Sequence, residues 1–252
     1  MTKIDNRSIY SQTTLDKKYH ESQISNPYES TKEFYKFLNK HVKLKNKKII
    51  DFACGSGANL FYLNKKYSIS ECVGFDLSNF LLNRAKSYIR KKNIKNISFY
   101  NKNLENISMK NLNIKKKYDG ITAQQCLSVF DDYESVIKSA KKFKPSFICV
   151  NSLFWDGDLD FKIDVNFLKK KSKKRKIFKT LVYNIYSLKK YIHFMEKNGY
   201  KKNIYKKFIL NKKTVSKNKK SMGTYTALLN NKKVQVSGPL ILDWYFILSQ
   251  KK

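Results

Sequence analysis

A turn with two glycines follows the first predicted strand and carries the clearest chemical signal in the sequence. The strand is Ile49-Ile50-Asp51-Phe52, and the turn is Cys54-Gly55-Ser56-Gly57. Glycines in such a turn let backbone N–H groups approach a ligand closely, and the N-terminus of the helix that follows favours a carboxylate or a phosphate. This segment therefore predicts a ligand site at the carboxyl end of the strand.

A second acid, Asp76, ends the next predicted strand, Cys72-Val73-Gly74-Phe75-Asp76. A carboxylate there is placed to accept hydrogen bonds from both hydroxyls of a ribose, so the two strand ends together suit a nucleoside-containing ligand. The dinucleotide fingerprint G-x-G-x-x-G is broken because Leu60 stands in the place of the last glycine. The chain also has no G-K-[ST] phosphate loop, so NAD and a P-loop nucleotide are both disfavoured.

Strands and helices alternate over roughly the first 150 residues, which predicts an α/β domain with a parallel sheet. Ligands bind outside the carboxyl ends of the strands in such a sheet, so Asp51 and Asp76 should converge on one site. A capping box at Ser30 and Glu33 predicts the start of the first helix. The other predicted elements are helices from Ala58 and after Ser78, a helix around Val136, and strands over 97–100, 118–123 and 147–150.

The alternation lapses after the fifth strand. Residues 154–186 combine spaced acids with the basic run Lys169–Lys176, and a helix from Ser187 to Asn198 ends at Gly199. A hairpin is predicted around the turn 230–233, and 244–248 reads as a last buried strand. The predicted organisation is a single domain: N-terminal cap helices over 1–44, a cofactor-binding core over 45–155, a lid insertion over 156–186, and the late helix, hairpin and final strands over 187–252.

Composition excludes several classes of protein. The hydrophobic fraction of 41% and the 17 Tyr and 17 Phe are too high for a disordered basic tail. No run approaches ~20 apolar residues, so no membrane span is expected, and the first residues lack the apolar core of a secretory signal. The four cysteines show no C-x-x-C spacing, which predicts free thiols in a reducing, cytoplasmic compartment.

The formal net charge of +34 makes this a basic protein and allows two interpretations. A surplus of this size favours a polyanionic partner. However, only four of the 53 basic residues are arginine, the residue best suited to bidentate phosphate contacts. Lysine is accompanied by abundant Asn, Ile and Tyr, a mixture that AT-rich coding can produce without selection for binding. The two interpretations stay open.

Four segments in sequence resemble the motifs of class I S-adenosylmethionine-dependent methyltransferases. They are DFACGSG (51–57), VGFDLS (73–78), ISFYNKNLENI (97–107) and YDGITAQQCLSVFDD (118–132). The C-terminal stretch MGTYTALL…VQVSGPLILDWYF (222–246) resembles the ending of a bacterial small-molecule group among these enzymes. The resemblance implies a Rossmann-like seven-stranded, mostly parallel sheet with helices on both faces, an antiparallel last strand, and an inserted lid or β-hairpin in the C-terminal half. It also implies S-adenosyl-L-methionine as cofactor and in-line displacement at its sulfonium methyl group.

The same resemblance implies a set of cofactor-binding residues. Ala53 stands where the family usually has its first glycine, and Asn103 stands where it has the aspartate that touches the adenine amino group. The fourth segment has neither of the proline-containing signatures of common DNA methyltransferases, so Cys126 is interpreted as a packing thiol. The residues expected to bind the cofactor are Asp51, Ala53, Gly55, Gly57, Asp76, Leu77, Asn103, Leu104 and Gln124.

Catalytic and acceptor-binding residues are less well marked. A proton acceptor would be a histidine, an acid or a lysine near the acceptor, and the candidates are His20 and His193, whereas His41 on an apolar helix stripe is interpreted as structural. No metal is expected, because Asp156, Asp158 and Asp160 lack the ordered ligand pattern of an EF-hand. Tyr19, Tyr183 and Tyr186 are candidates for the acceptor pocket.

Three functions are compatible with these features. The first is methyl transfer to a small-molecule acceptor, possibly anionic, such as a sugar, a glycan precursor or another metabolite. The second is an RNA methyltransferase that uses the lysine-rich surface, although a nucleic-acid partner is not favoured. The third is a non-catalytic, partner-binding subunit that retains the methyltransferase fold. The oligomeric state, the acceptor and the atom that is methylated stay open.

Overall fold

A computed structural model of the chain describes residues 22–110, 112, 114, 117–171, 174–210, 224–237 and 240–252, and it describes side chains in these ranges except at 167–181, 224, 225 and 237. The helices are α1 (Glu29–His41), α2 (Ala58–Tyr67), α3 (Asn79–Lys91), α4 (Tyr133–Lys141) and α5 (Leu188–Lys197). The strands are β1 (Lys48–Phe52), β2 (Glu71–Asp76), β3 (Ile97–Asn101), β4 (Gly120–Gln124), β5 (Phe147–Trp155), β6 (Phe161–Lys171), β7 (Lys174–Ser187), β8 (Lys202–Phe208), β9 (Thr224–Leu229), β10 (Lys232–Ser237), β11 (Leu240–Ile241) and β12 (Trp244–Gln250).

The central sheet has the strand order β3-β2-β1-β4-β5-β12-β8. Neighbours from β3 to β5 pair in parallel, whereas β12 runs antiparallel to both β5 and β8. The strand order reverses between β1 and β4, which is the point where open α/β sheets hold their ligands. The prediction of a Rossmann-like, mostly parallel sheet with an antiparallel last strand is confirmed.

Alternate residues of the sheet pack into two hydrophobic layers, because successive side chains of a strand point to opposite faces. In β1, Ile50 and Phe52 belong to the layer that contains α4 and α5. Ile49 belongs to the opposite layer, which contains α1, α2 and α3. The sheet is therefore covered on both faces, as its nearly continuous apolar strands require. Within the described ranges no helix is both long and apolar enough to cross a membrane.

Of the three helix starts predicted at serines, two are confirmed and one is wrong. Ser78 and Ser187 cap α3 and α5 as the sequence predicts. The sequence pattern does not predict the start of α4, where the Asp132 carboxylate caps the helix by accepting from the backbone of Glu134 at 2.7 Å. The capping box predicted at Ser30 is wrong. Helix α1 begins at Glu29 without a side-chain cap, so Ser30 lies inside the helix, where its hydroxyl faces a different partner.

Two additions interrupt the second half of the sheet. The segment 154–186, which shows no regular pattern in the sequence, contains the end of β5 and a long antiparallel hairpin of β6 and β7. Strands β9 to β11, which follow β8 and precede β12 in the sequence, form a separate three-stranded sheet. The hairpin turn is shorter than predicted: Asn230 and Asn231 both have positive φ, as a two-residue turn requires, and Lys232 already belongs to β10.

Gly120 is required by the close approach of β4 and β5. It lies opposite Phe147, and an added Cβ would stand 2.0 Å from the Phe147 ring. We expect Gly120→Ala to lower the free energy of unfolding by about 1–3 kcal/mol, measured by urea denaturation, because the buried ring cannot move freely. Phe147→Leu in the same background should recover part of the loss. Strict additivity of the two changes would contradict this contact as the cause.

Candidate functional site

A cavity of about 320 Å³ lies at the carboxyl ends of β1, β2 and β4. Four chain segments enclose it: the turn after β1, the end of β2 with the start of α3, the residues after β4, and residues 23–31 before and within α1. The lining residues are Gln23, Tyr28, Thr31, Ala53, Cys54, Gly55, Ser56, Ala58, Asn59, Asp76, Ser78, Leu81, Gln124, Gln125, Cys126 and Val129. Four predicted site residues, Ala53, Gly55, Asp76 and Gln124, thus meet in one place.

The turn after β1 needs left-handed backbone at three positions. Ala53, Gly55 and Gly57 have φ values of 53°, 54° and 82°. Glycine adopts such values freely, whereas alanine pays about 1–2 kcal/mol. At Gly57 space is limiting as well, since an added Cβ would lie 2.7 Å from the Phe99 ring. The left-handed backbone of this turn therefore explains its two glycines, and Ala53 adopts the same conformation at a cost in energy.

The Asp76 carboxylate connects this turn to the end of β2. Oδ2 accepts from the backbone N–H of Gly55 and Oδ1 from that of Ser78, both at 2.8 Å. Burial raises the pKa of Asp76, and the backbone N–H groups of Ser78, Gly55 and Leu77 oppose that shift. Each carboxylate oxygen has a further lone pair, and the side chain lines the cavity. Asp76 can therefore accept two more hydrogen bonds from adjacent hydroxyl groups of a ligand.

Asp51 is the most perturbed acid of this region. It is 1% exposed, and Oδ1 accepts from the Thr122 hydroxyl at 2.6 Å while Oδ2 has no partner. Burial raises the pKa of Asp51 to about 7, against the opposing hydrogen bond from Thr122 and with a smaller contribution from Asp76. The Gln124 side-chain nitrogen and the Tyr35 hydroxyl are also buried without partners. Unpartnered groups of this kind are rare in proteins and mark places where a polar ligand can bind.

Five predicted cofactor-binding residues lie outside the cavity lining: Asp51 and Gly57, described above, and Leu77, Asn103 and Leu104. The Asn103 amide oxygen closes its own turn by accepting from the Glu105 backbone at 3.0 Å, and its side chain is exposed. Leu104 is 4% exposed and packs in the core, while the Leu77 carbonyl accepts from the Asn101 side chain at 2.7 Å. The structure therefore does not bring the predicted adenine-side residues to the cavity.

A second cleft, of about 900 Å³, contains two of the predicted acceptor-side residues, Tyr186 and His193. The Tyr186 hydroxyl donates to the carbonyls of Leu127 and Phe130, and the Asn184 amide donates to the Phe130 carbonyl at 2.6 Å. These bonds fix the segment that also carries Val129 into the first cavity. The cleft is lined by Asp131, Asp132, Tyr133, Glu134, Asp160, Phe161, Lys162, Asn184, Tyr186, Lys190, His193, Phe194 and Lys197.

Tyr183 and His41 line neither cleft. Tyr183 packs against the layer that contains α1, on the opposite face from Tyr186. His41 makes an edge contact with the Phe37 ring, with 5.1 Å between ring centroids, and burial lowers its pKa. Tyr19 and His20 lie outside the described residues.

The acids after β5 make separate contacts rather than one cluster. Asp156 accepts from the Tyr245 hydroxyl, Asp158 pairs with Lys189, and Asp160 accepts from the Ser187 backbone. Among the described residues no group of His, Cys, Asp and Glu side chains could hold a metal ion. All four cysteines are buried and unpaired.

The sequence pattern does not reveal the residues that close the cavity from the N-terminal side. Thr31 donates from its hydroxyl to the Asn59 amide oxygen at 3.0 Å, and the Gln125 amide donates to the Ser30 hydroxyl at 3.4 Å. Gln125 also has a positive φ of 54°, which is uncommon for glutamine. These contacts join residues far apart in sequence, so only the placement of Thr31 on the buried side of α1 could have indicated them.

Comparison with known proteins agrees with this geometry. A family model described as a methyltransferase domain matches residues 43–209. No curated protein sequence shows significant similarity to the chain.

Solved structures resemble the whole chain at low sequence identity, which shows a shared fold. A methyltransferase dependent on S-adenosylmethionine, from Clostridium acetobutylicum, is 14% identical over 95% of this chain and 100% of that one, with a TM-score of 0.55. A putative enzyme of the same description from Listeria monocytogenes is 12% identical over 89% and 100%, with a TM-score of 0.56. Magnesium protoporphyrin IX methyltransferase from Synechocystis, solved with its methyl donor bound, is 10% identical over 100% of both chains, with a TM-score of 0.55.

Replacement of Asp51 by Asn should remove a pH dependence of stability. The pKa rises from an ordinary value of 3.8 in the unfolded chain to about 7 in the folded protein. The stabilisation from this group is therefore complete below about pH 4 and lost as the pH rises through about 7. Asn stays neutral and keeps the acceptor for Thr122, so we expect the variant to gain on the order of 1–4 kcal/mol over the wild type between about pH 4 and pH 8.

Urea denaturation at several pH values measures this difference. Asp158→Asn is the matched control, since the Asp158 side chain is 75% exposed and pairs with Lys189 at 3.6 Å. Its stability should follow that of the wild type across the range. Parallel curves for Asp51→Asn and the wild type would show that Asp51 titrates normally.

Proposed function

The chain belongs to the methyltransferase domain family, and on that premise we propose that it transfers a methyl group from S-adenosylmethionine to a small-molecule acceptor. The observation that carries the proposal is the cavity in which the glycine turn after β1, the Asp76 carboxylate and Gln124 meet. The proposed mechanism is in-line displacement at the sulfonium methyl group.

The described residues fit this cofactor chemically. Asp76 is the charged residue among those that line the cavity, and its remaining lone pairs suit the two ribose hydroxyls. The N-terminus of α2, which begins after Gly57, favours the methionyl carboxylate. The buried Gln124 nitrogen and Asp51 Oδ2 have no partner in the protein, and a nearby cation would favour the ionised form of Asp51.

We propose only a secondary role in cofactor binding for Asn103 and Leu104. In the structure the Asn103 amide oxygen is occupied by the Glu105 backbone, and neither residue lines the cavity. Adenine contact at Asn103 would need this turn to open. We therefore assign the cofactor chiefly to the turn 53–57, Asp76 and Gln124.

The cofactor supplies an activated methyl group, so the main task of the protein is to position the acceptor. Tyr28, Thr31 and Gln125 line the cavity with neutral hydrogen-bonding groups, and Val129 adds an apolar one. His193 lines the second cleft and not the cavity, so the proposal gives it no proton-transfer step. Tyr186 acts as a positioning residue through its bonds to the segment 127–130.

A small acceptor is supported by the modest size of the cavity, which the acceptor must share with the cofactor. The cavity volume of about 320 Å³ falls at the lower end of the range of small-molecule pockets. The Synechocystis neighbour is named for its action on magnesium protoporphyrin IX, which is a small molecule. We also propose that residues 1–44 cap the cofactor-binding core (45–155) and that residues 156–186 form its lid. Residues from the range 23–31 line the cavity, and the β6–β7 hairpin fixes the segment 127–130 beside it. Four unpaired, buried thiols support a reducing, cytoplasmic setting.

Asp76→Ala tests the cofactor assignment. Loss of a charged acceptor for the ribose should weaken the binding of S-adenosylhomocysteine by about 1–3 kcal/mol, measured by isothermal titration calorimetry. Asp158→Ala, which removes an exposed acid outside the cavity, should leave the affinity unchanged. Asp76→Asn keeps an acceptor for the Gly55 N–H and separates the loss of charge from damage to the turn. Equal affinities for Asp76→Ala and the wild type would show that Asp76 does not hold the ribose.

A further inference from the structure

The hairpin of β6 and β7 extends beyond the sheet that it joins. It pairs with β5 at two positions only, Phe154 with Tyr186 and Trp155 with Ser187. From there the two strands pair with each other as far as Lys171 and Lys174. At about 3.3 Å per residue, the eleven residues of β6 give a ribbon of about 35 Å.

The end of this ribbon is a ladder of opposed basic residues, which we call the basic tip (residues 169–171 and 174–176). Lys169 lies opposite Lys176, Lys170 opposite Arg175, and Lys171 opposite Lys174. All six residues are basic. Like charges at directly opposed positions destabilise a strand pair, so a bound anion that neutralised them would relieve this repulsion.

The base of the same hairpin is electrically balanced, in contrast to the tip. Lys162 pairs with Asp131 at 2.8 Å, and Lys190 pairs with Asp160 at 3.2 Å. No acid occurs in the sequence from Val165 to Ser187. Asp164 is the one acid in the sequence of the β6–β7 hairpin, and it lies opposite Val182, five residues from Lys169 and nearer the base than the tip.

We propose that the basic tip binds the phosphate backbone of a nucleic acid. Successive positions of a strand point to opposite faces, so the three basic rungs place cationic residues on both faces of the ribbon. Rungs on the same face are two residues apart, about 6.6 Å, which is close to two axial steps of ~3.4 Å between phosphates along one strand of a duplex. A two-stranded ribbon also has dimensions that the major groove of B-form DNA admits.

The composition of the tip distinguishes this partner from others. Residues 169–176 contain no aromatic or aliphatic residue for insertion into a lipid bilayer, and a flat anionic membrane would meet only part of a ribbon that is basic on both faces. The absence of aromatic residues also excludes base stacking by the tip itself, and contacts to phosphates carry no sequence information. The binding surface is separate from the cavity and does not depend on the proposed methyl transfer.

The contact has a structural route to the cavity. Asn184 and Tyr186, at the base of the hairpin, hold the carbonyls of Leu127 and Phe130, and Val129 between them lines the cavity. A nucleic acid bound at the tip would therefore contact the same β6–β7 hairpin that positions residues 127–130 beside the cavity.

The test is fluorescence anisotropy of the full chain with labelled duplex DNA and duplex RNA of one sequence. Wild-type affinity should fall steeply between about 50 and 200 mM salt, because phosphate contacts release counterions. The variant Lys170→Glu/Arg175→Glu reverses one rung and should weaken binding at least about tenfold and reduce the salt slope by about two. Lys170→Ala/Arg175→Ala should show a smaller loss in the same direction.

The matched control is Lys91→Glu/Lys92→Glu, which makes the same charge change at two exposed residues at the end of α3. Its affinity should stay within about threefold of the wild type, and circular dichroism and S-adenosylhomocysteine binding check that every variant is folded. Equal losses in both charge-reversal variants would show a general charge effect and overturn the proposal. So would unchanged binding by the tip variants, or binding of the wild type to phosphatidylserine vesicles but to neither duplex.

Discussion

The Asp76 carboxylate is the interaction on which the site depends. Its two oxygens accept from the backbone of Gly55 and Ser78, so one side chain joins the turn after β1, the end of β2 and the start of α3. These two hydrogen bonds stabilise a strained turn in which three residues, one of them an alanine, have left-handed backbone. The parallel pairing of β1, β2 and β4 then brings Asp76 and Gln124 to the same edge. The cavity is a consequence of these backbone constraints.

The sequence predicts the central sheet because its strands are apolar and buried on both faces. It does not reveal β8, since Lys202–Phe208 is a lysine-rich edge strand whose side chains are mostly exposed and which carries little hydrophobic signal. It does not reveal the β6–β7 hairpin either, because the segment is rich in lysine, which has low β propensity. Local patterns thus predict strands that are continuously apolar and miss strands that are rich in lysine.

The same distinction applies to the site. Asp76, Gly55 and Gln124 are predictable because strand ends and glycine turns have local signatures. Thr31 and Gln125 reach the cavity only through contacts across the fold, and no local pattern marks them. Asn103 is the opposite example. A motif predicts it at the cofactor, but in the structure its side chain accepts a hydrogen bond from the backbone of Glu105. The sequence shows the surplus of lysine only as a property of the whole chain. The structure adds that some of these lysines stand opposite one another on the β6–β7 hairpin.

The most direct measurement of the central claim is calorimetric titration of the wild-type protein with S-adenosylmethionine and, separately, with S-adenosylhomocysteine. The account predicts saturable binding of both at one site per chain, and a rise in melting temperature with ligand concentration, since a ligand that binds the folded state stabilises it. ATP and NAD should produce neither effect. No heat of binding and no shift in melting temperature with either compound at millimolar concentration would contradict the account.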